Sequence, residues 1–122
     1  MRVLVVEPEK RPYTKDIDGK LETMQGIVGG LIQALYPFED RVALVCNDEG
    51  KLIGLPLNRA LRDERGNPYD IVSGVFFLCA APADSEDFQS LTQEQVERYE
   101  RIFHRPEAFF KTKSGILCVP MS

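Results

Sequence analysis

The sequence is poor in the residues that most metal and nucleophilic sites use. Its 122 residues contain no tryptophan, one histidine (His104) and three cysteines, at positions 46, 79 and 118. Structural zinc sites take closely spaced pairs of cysteine and histidine, but 32 and 38 residues separate these cysteines. Each cysteine lies in an apolar, β-branched run, where burial disfavours the thiolate that a Cys–His dyad needs. We therefore predict no metal ion, no cofactor and no catalytic residue.

The odd number of cysteines also argues against a framework of disulfides. Buried free thiols behave as small apolar side chains. We interpret all three as members of strand cores in a reducing compartment, which predicts a cytoplasmic protein.

The sequence also lacks a basic excess and a long apolar run. Its formal net charge is −4, whereas binding to nucleic acid usually depends on clustered positive charge. No run approaches the roughly 20 apolar residues of a membrane helix. A nucleic-acid partner and a membrane are therefore not expected. One basic segment with interleaved aromatics, Arg98–Lys113, leaves single-stranded nucleic acid as a weaker alternative.

What the sequence does have is a set of short apolar runs at strand length. Arg2–Val6, Val42–Cys46 and Ile71–Ala80 are predicted strands, the last with a bulge at Gly74. The turn formers Asn47 to Gly50 predict a hairpin whose return strand is Lys51–Leu55. Asp63–Asp70 is expected to be a polar loop, and Ile116–Val119 a final short strand.

Two segments have helical periodicity. Apolar residues recur at helical spacing over Leu21–Leu35, and Thr92 with Gln95 forms a capping-box signature before a helix that ends near Phe103. The resulting order predicts an α+β fold: a mainly antiparallel sheet with the two main helices packed on one face, in a single domain over residues 1–122.

Gly26, Gly29 and Gly30 interrupt the first helical segment. Gly26 and Gly30 project away from its apolar stripe, so core packing does not explain them. One reading is close approach by another segment, a ligand or a second subunit. The other is that the helix starts late or breaks and that the glycines belong to a loop.

Four polar residues beside the apolar strands are candidate binding residues: Asn58, Arg59, Glu49 and Asp70. Loops next to a rigid sheet often present functional groups. The structural alternative is that Asn58 caps a short helical turn and that Arg59 forms a surface ion pair.

Three stretches in order, GIVGGLIQAL, VCNDEGKLIGLPLNRAL and DIVSGVFFLC, followed by LTQEQVERY, resemble the domain of unknown function 3846 family. The matching positions are Gly26, Gly29, Gly30, Asn47, Glu49, Gly50, Pro56, Asn58, Arg59 and Gly74. The resemblance covers about Val3 to Tyr99 and leaves the tail from Ala108 uncovered. It implies a bacterial or phage-associated cytoplasmic protein, often carried on mobile elements, and brings no catalytic residue with it.

These observations favour a non-enzymatic binding or interaction module with a protein partner or a second copy of itself. The resemblance implies that such a module is an accessory factor of a mobile element. The alternative is a small-ligand-binding protein or enzyme with a polar pocket near Asn58 and Arg59.

Overall fold

A five-stranded antiparallel sheet forms the centre of the molecule. The computed structural model describes residues 1–121. Along the chain the elements are β1 (Arg2–Val6), β2 (Tyr13–Asp16), α1 (Leu21–Val28), β3 (Ile32–Leu35), β4 (Val42–Asn47), β5 (Leu57–Arg62), β6 (Pro68–Ser73), β7 (Phe76–Ala80), α2 (Gln93–Phe103), β8 (Glu107–Thr112) and β9 (Gly115–Pro120). The central sheet has the order β2-β1-β7-β4-β3, while β5-β6 and β8-β9 form two hairpins. Every pairing is antiparallel, which confirms the α+β class.

The two helices cover opposite faces of the central sheet. Val3, Val5, Ala43, Val45 and Phe77 face α1, whereas the alternate residues Leu4, Val6, Leu44, Phe76 and Leu78 pack with α2 and with the β5–β6 hairpin. The expectation of helices on one face was therefore wrong. Strands β1, β4 and β7 are apolar on both faces, so both faces have to be covered.

Helix α1 is shorter than its periodicity predicts. It ends at Val28, and Gly29 caps it in the left-handed region at φ 80°, where its N–H donates to the Gln25 carbonyl. Ile32–Leu35 is a strand that pairs with β4. Of the two readings of this segment, the one in which the helix breaks is confirmed at Gly29, although Gly26 stays helical. Leu31, Ile32 and Leu35 fit a helical stripe and a half-buried strand alike.

The segment between β4 and β7 differs most from expectation. The predicted return strand Lys51–Leu55 is a run of turns, and the strand after it pairs with β6 rather than with β4. The predicted strand Ile71–Ala80 is two strands in different sheets, separated at Gly74 with φ 81°. Gly74 is therefore a corner between sheets and not a bulge.

Two further loops contain strands. Pro68–Ser73 forms β6, so the polar loop is confined to residues 63–67, and Tyr13–Asp16 forms the edge strand β2. Asn58 lies inside β5, so the predicted helical turn at that position was wrong. The β5 and β6 strands pair along their length, which supplies the hydrogen bonds that a helical turn would have made.

The α2 helix begins as predicted. Thr92 accepts the Gln95 N–H, the Gln95 side chain accepts the Thr92 N–H, and Val96, Tyr99 and Phe103 are buried. The final strand was predicted over Ile116–Val119, and β9 confirms it.

Cys46 and Cys79 are buried, Cys118 is half-buried on β9, and all three are free thiols. Among residues 1–121 there is no helix with both the length and the apolar character to cross a membrane.

Candidate functional site

Asn58 and Arg59 form a buried polar network instead of lining a surface pocket. Their exposed fractions are 0% and 1%. Asn58 Nδ2 donates to the carbonyl oxygens of Val6 and Gly74, each at 2.8 Å. Asn58 thereby joins β5 to the end of β1 and to the corner that precedes β7.

The Arg59 guanidinium is satisfied by neutral oxygens rather than by a carboxylate. Its Nε donates to the Phe103 carbonyl at 3.1 Å and one terminal nitrogen donates to Asn58 Oδ1 at 2.8 Å. Further bonds reach the carbonyls of Glu7 and Lys10. Burial lowers the pKa of Arg59, and the charge of Glu107 partly opposes that effect. Neither predicted alternative, a helix cap for Asn58 or a surface ion pair for Arg59, was right.

A different polar surface lies at the end of β4. Asn47 holds the turn after β4 against the end of α1. Its Oδ1 accepts the Glu49 N–H at 2.8 Å, and its Nδ2 donates to the Val28 carbonyl at 3.1 Å. A Cβ on Gly30 would lie 2.9 Å from Asn47 Nδ2. The bare backbone at Gly30 therefore admits the side chain that shapes the turn after β4.

We call this surface the acidic cleft: a cavity of about 440 Å³ between β3, β4, β6 and the turn after β4. Three of its lining residues are acidic (Asp48, Glu49 and Asp70), and Lys51 is the one cation among them. Lys51 Nζ lies 2.5 Å from Asp70 Oδ1. Leu35, Cys46, Ile71 and Val72 provide the apolar part of the lining.

Ser73 is a lining residue of the acidic cleft, and its hydroxyl is buried from solvent. The residue is 4% exposed, and its Oγ has no hydrogen-bond partner within residues 1–121. A Cβ on Gly50 would lie 2.9 Å from the Ser73 carbonyl oxygen. Because buried polar groups are almost always hydrogen-bonded, the unpaired Ser73 hydroxyl is an unusual feature of the β6 strand.

The electrostatics of the cleft do not favour a thiol nucleophile. Burial raises the pKa of Cys46, and the charges of Asp48 and Asp70 raise it further. At Asp70, burial acts to raise the pKa, but the hydrogen bonds from Lys51 and from the Ile71 N–H outweigh it and hold the pKa below its ordinary value. Within the described residues, no group of three or more histidine, cysteine or acidic side chains is arranged to hold a metal ion.

A second cavity, of about 570 Å³, adjoins the acidic cleft. The two cavities share Lys51, Asp70, Ile71 and Ser73. The second one is bordered mainly by apolar side chains, including Leu55, Tyr69 and Ile116. We call it the apolar cavity.

The structure divides the four candidate binding residues into two pairs. Glu49 and Asp70 line the acidic cleft, whereas Asn58 and Arg59 are buried away from it. Sequence reasoning missed Asp48, Lys51 and Ser73. The turn Asn47 to Gly50 was a usable signal for Asp48, but nothing local to Ser73 indicated that its hydroxyl would be buried unpaired.

The three glycines also separate. Gly29 has a positive φ, and Gly30 lies against Asn47. Gly26 stays within α1, and no atom of the described chain would come within 4 Å of a Cβ there beyond its own helix neighbours.

The basic segment Arg98–Lys113 does not form a base-stacking surface as a whole. Phe103 is buried in the core. Arg98 is paired with Asp40 and Glu94, and His104 with Glu100. Within α2 the alternation of basic and aromatic residues therefore reflects packing and ion pairing, whereas Phe110 on β8 is exposed.

Comparison with known proteins gives a single kind of result. No curated protein and no solved structure matches the chain significantly. The profile of the family described as Domain of unknown function (DUF3846) matches residues 1–104. That range includes both helices, the acidic cleft and the buried network, and it ends before the β8–β9 hairpin. Because the match spans most of the chain, the protein belongs to the Domain of unknown function (DUF3846) family.

Proposed function

We propose that this protein is a non-enzymatic binding module and that the acidic cleft is its binding site for a positively charged group. The observation that carries the proposal is the position of Asp48, Glu49 and Asp70 around one cavity whose lining contains a single cation, Lys51. Opposite charges close together attract strongly where water is partly displaced. A primary amine or a guanidinium supplies both the positive charge and the donors that these oxygens accept.

The chemistry of the nearby groups supports binding over catalysis. The Cys46 thiol has a raised pKa, so it is protonated at neutral pH and is a poor nucleophile. The single histidine, His104, follows α2 and is paired with Glu100. A binding module acts by binding a partner and not by catalysing a reaction. Such action suits the accessory role on mobile elements that the family resemblance implies.

The test is a titration with arginine amide, followed by ¹H–¹⁵N NMR at low salt. We expect the amide signals of residues 47–51 and 70–73 to shift together. The double variant Asp48→Asn with Glu49→Gln should weaken the response at least fivefold. The matched control, Asp84→Asn with Glu86→Gln, removes two exposed acids elsewhere and should leave it unchanged. Equal weakening in both double variants, or no localised shifts, would contradict the proposal.

A further inference from the structure

The outer edge of β6 has an unusual hydrogen-bonding state. Ala60 on β5 is paired with Ile71 on β6. The Ala60 N–H donates to Glu107 Oε2 at 2.8 Å, away from β6. In an antiparallel pair of this kind, the N–H groups of both residues point outward. The Ile71 N–H accordingly donates to Oδ1 of the preceding residue, Asp70, at 2.8 Å.

The two edges of the β5–β6 hairpin are covered differently. Beyond β5 lies β8, whose buried Glu107 accepts from Ala60 and from Arg62. Beyond β6, the described chain places no further strand in that sheet. A single carboxylate, Asp70, lies where the carbonyl of a neighbouring strand would lie, and Lys51 holds it there.

Both cavities border this edge. The acidic cleft and the apolar cavity share Asp70, Ile71 and Ser73 of β6. One side of the shared boundary is acidic, with Asp48 and Glu49, and the other is apolar, with Leu55 and Ile116. An open strand edge beside two pockets of different chemistry is the arrangement used to bind an extended peptide.

We propose that the open edge of β6 binds an extended segment of a partner protein as an added strand. A lysine or arginine of that segment enters the acidic cleft, and an apolar side chain enters the apolar cavity. The Asp70 carboxylate leaves the Ile71 N–H, and a carbonyl of the added strand replaces it. This inference rests on the proposed function of the acidic cleft and adds the class of partner.

The test uses a capped seven-residue peptide of alternating valine and lysine, with a second peptide in which glutamate replaces lysine. Binding is followed by ¹H–¹⁵N NMR and by fluorescence anisotropy of labelled peptide. We expect the lysine peptide to bind at least tenfold more tightly. We also expect the Ile71 amide signal to move in the direction of a stronger hydrogen bond. Ile71→Pro removes the outward N–H and leaves the bonds to β5 intact, so it should reduce peptide binding at least tenfold.

A second measurement does not depend on the folding of that variant. N-methylation of alternate peptide bonds removes backbone donors from the peptide without changing its charge, and it should reduce binding to the unmodified protein by a similar factor. Asp70→Ala frees the Ile71 N–H. It should weaken the binding of arginine amide, and it should weaken the binding of the lysine peptide less.

The outcomes separate this inference from the proposed function. If arginine amide binds but N-methylation and Ile71→Pro leave peptide binding unchanged, the cleft binds a cation and the added strand is refuted. If the glutamate and lysine peptides bind equally, the assignment of a basic side chain to the acidic cleft is refuted. If arginine amide itself fails to bind, the proposed function is refuted first.

Discussion

Polar side chains gather in two regions of this molecule, the buried Asn58–Arg59 network and the acidic cleft, and their surroundings differ in one decisive respect. In the buried network each side chain has partners: Asn58 bridges two carbonyls and Arg59 binds several more. In the acidic cleft, three acids surround one lysine and the Ser73 hydroxyl is unpaired. Buried polar groups with complete sets of partners indicate a structural role, whereas the acidic side chains of the cleft border a cavity and outnumber its one cation.

Removing Arg59 should have the largest effect. Arg59→Met keeps the length of the side chain but removes the donors to the carbonyl oxygens of Phe103, Glu7 and Lys10. We expect a loss of about 3 kcal/mol in the free energy of unfolding. Urea unfolding followed by far-UV circular dichroism measures it. The control Arg98→Met changes an arginine whose side chain is 40% exposed and ion-paired, and it should cost less than about 1 kcal/mol. A similar result for both variants would show that the network is dispensable.

Gly50 tests the packing that joins the acidic cleft to β6. A Cβ there would lie 2.9 Å from the Ser73 carbonyl, a backbone atom that moves little. Gly50→Ala should therefore cost about 2 kcal/mol, as overpacking does. Gly26→Ala is the matched control, because Gly26 lies in a helix with open space around it; it should stabilise by about 0.5–1 kcal/mol. Thermal denaturation of both variants measures these effects. Unfolding midpoints that move in the same direction for both would contradict the prediction.

Ser73 sharpens the contrast between the two regions. Ser73→Ala removes a buried hydroxyl that has no partner in the described chain, so we expect a stabilisation of about 1 kcal/mol. Asn58→Ala, at a satisfied position, should instead destabilise. Urea midpoints of the two variants decide the matter, and a destabilised Ser73→Ala would mean that the hydroxyl is already hydrogen-bonded.

The Lys51–Asp70 pair should have the smallest effect. Asp70 is 41% exposed, so after screening by solvent we expect Asp70→Asn to cost about 0.5 kcal/mol. Because folding lowers the Asp70 pKa, this contribution is fully present above the ordinary aspartate pKa of 3.8. It is lost as the pH falls through the lower pKa of the folded protein. Unfolding curves between pH 2 and 6 should therefore converge for Asp70→Asn and the unchanged protein at the acidic end.

Local patterns in the sequence were enough for several elements. The capping box at Thr92 and Gln95 located α2, and uninterrupted apolar runs located β1 and β4. These features succeed because hydrogen bonds within one turn, or burial on both faces of one strand, decide them.

Other elements depended on distant partners. Ile32–Leu35 is a strand because it pairs with the edge of β4. The single predicted strand Ile71–Ala80 is divided into β6 and β7 because Gly74 turns the chain from one sheet to the other. In such short segments the hydrophobic period and the residue propensities fit a helix and a strand about equally well.

The sequence by itself determined the class of fold, the helix α2 and the absence of a closely spaced metal-ligand motif. Only the tertiary structure decided that Asn58 and Arg59 are buried while Glu49 and Asp70 share an accessible cavity. The physical reason is that a polar side chain is structural or available according to which distant carbonyls reach it, and β1, Gly74 and the end of α2 reach Asn58 and Arg59 from far along the chain.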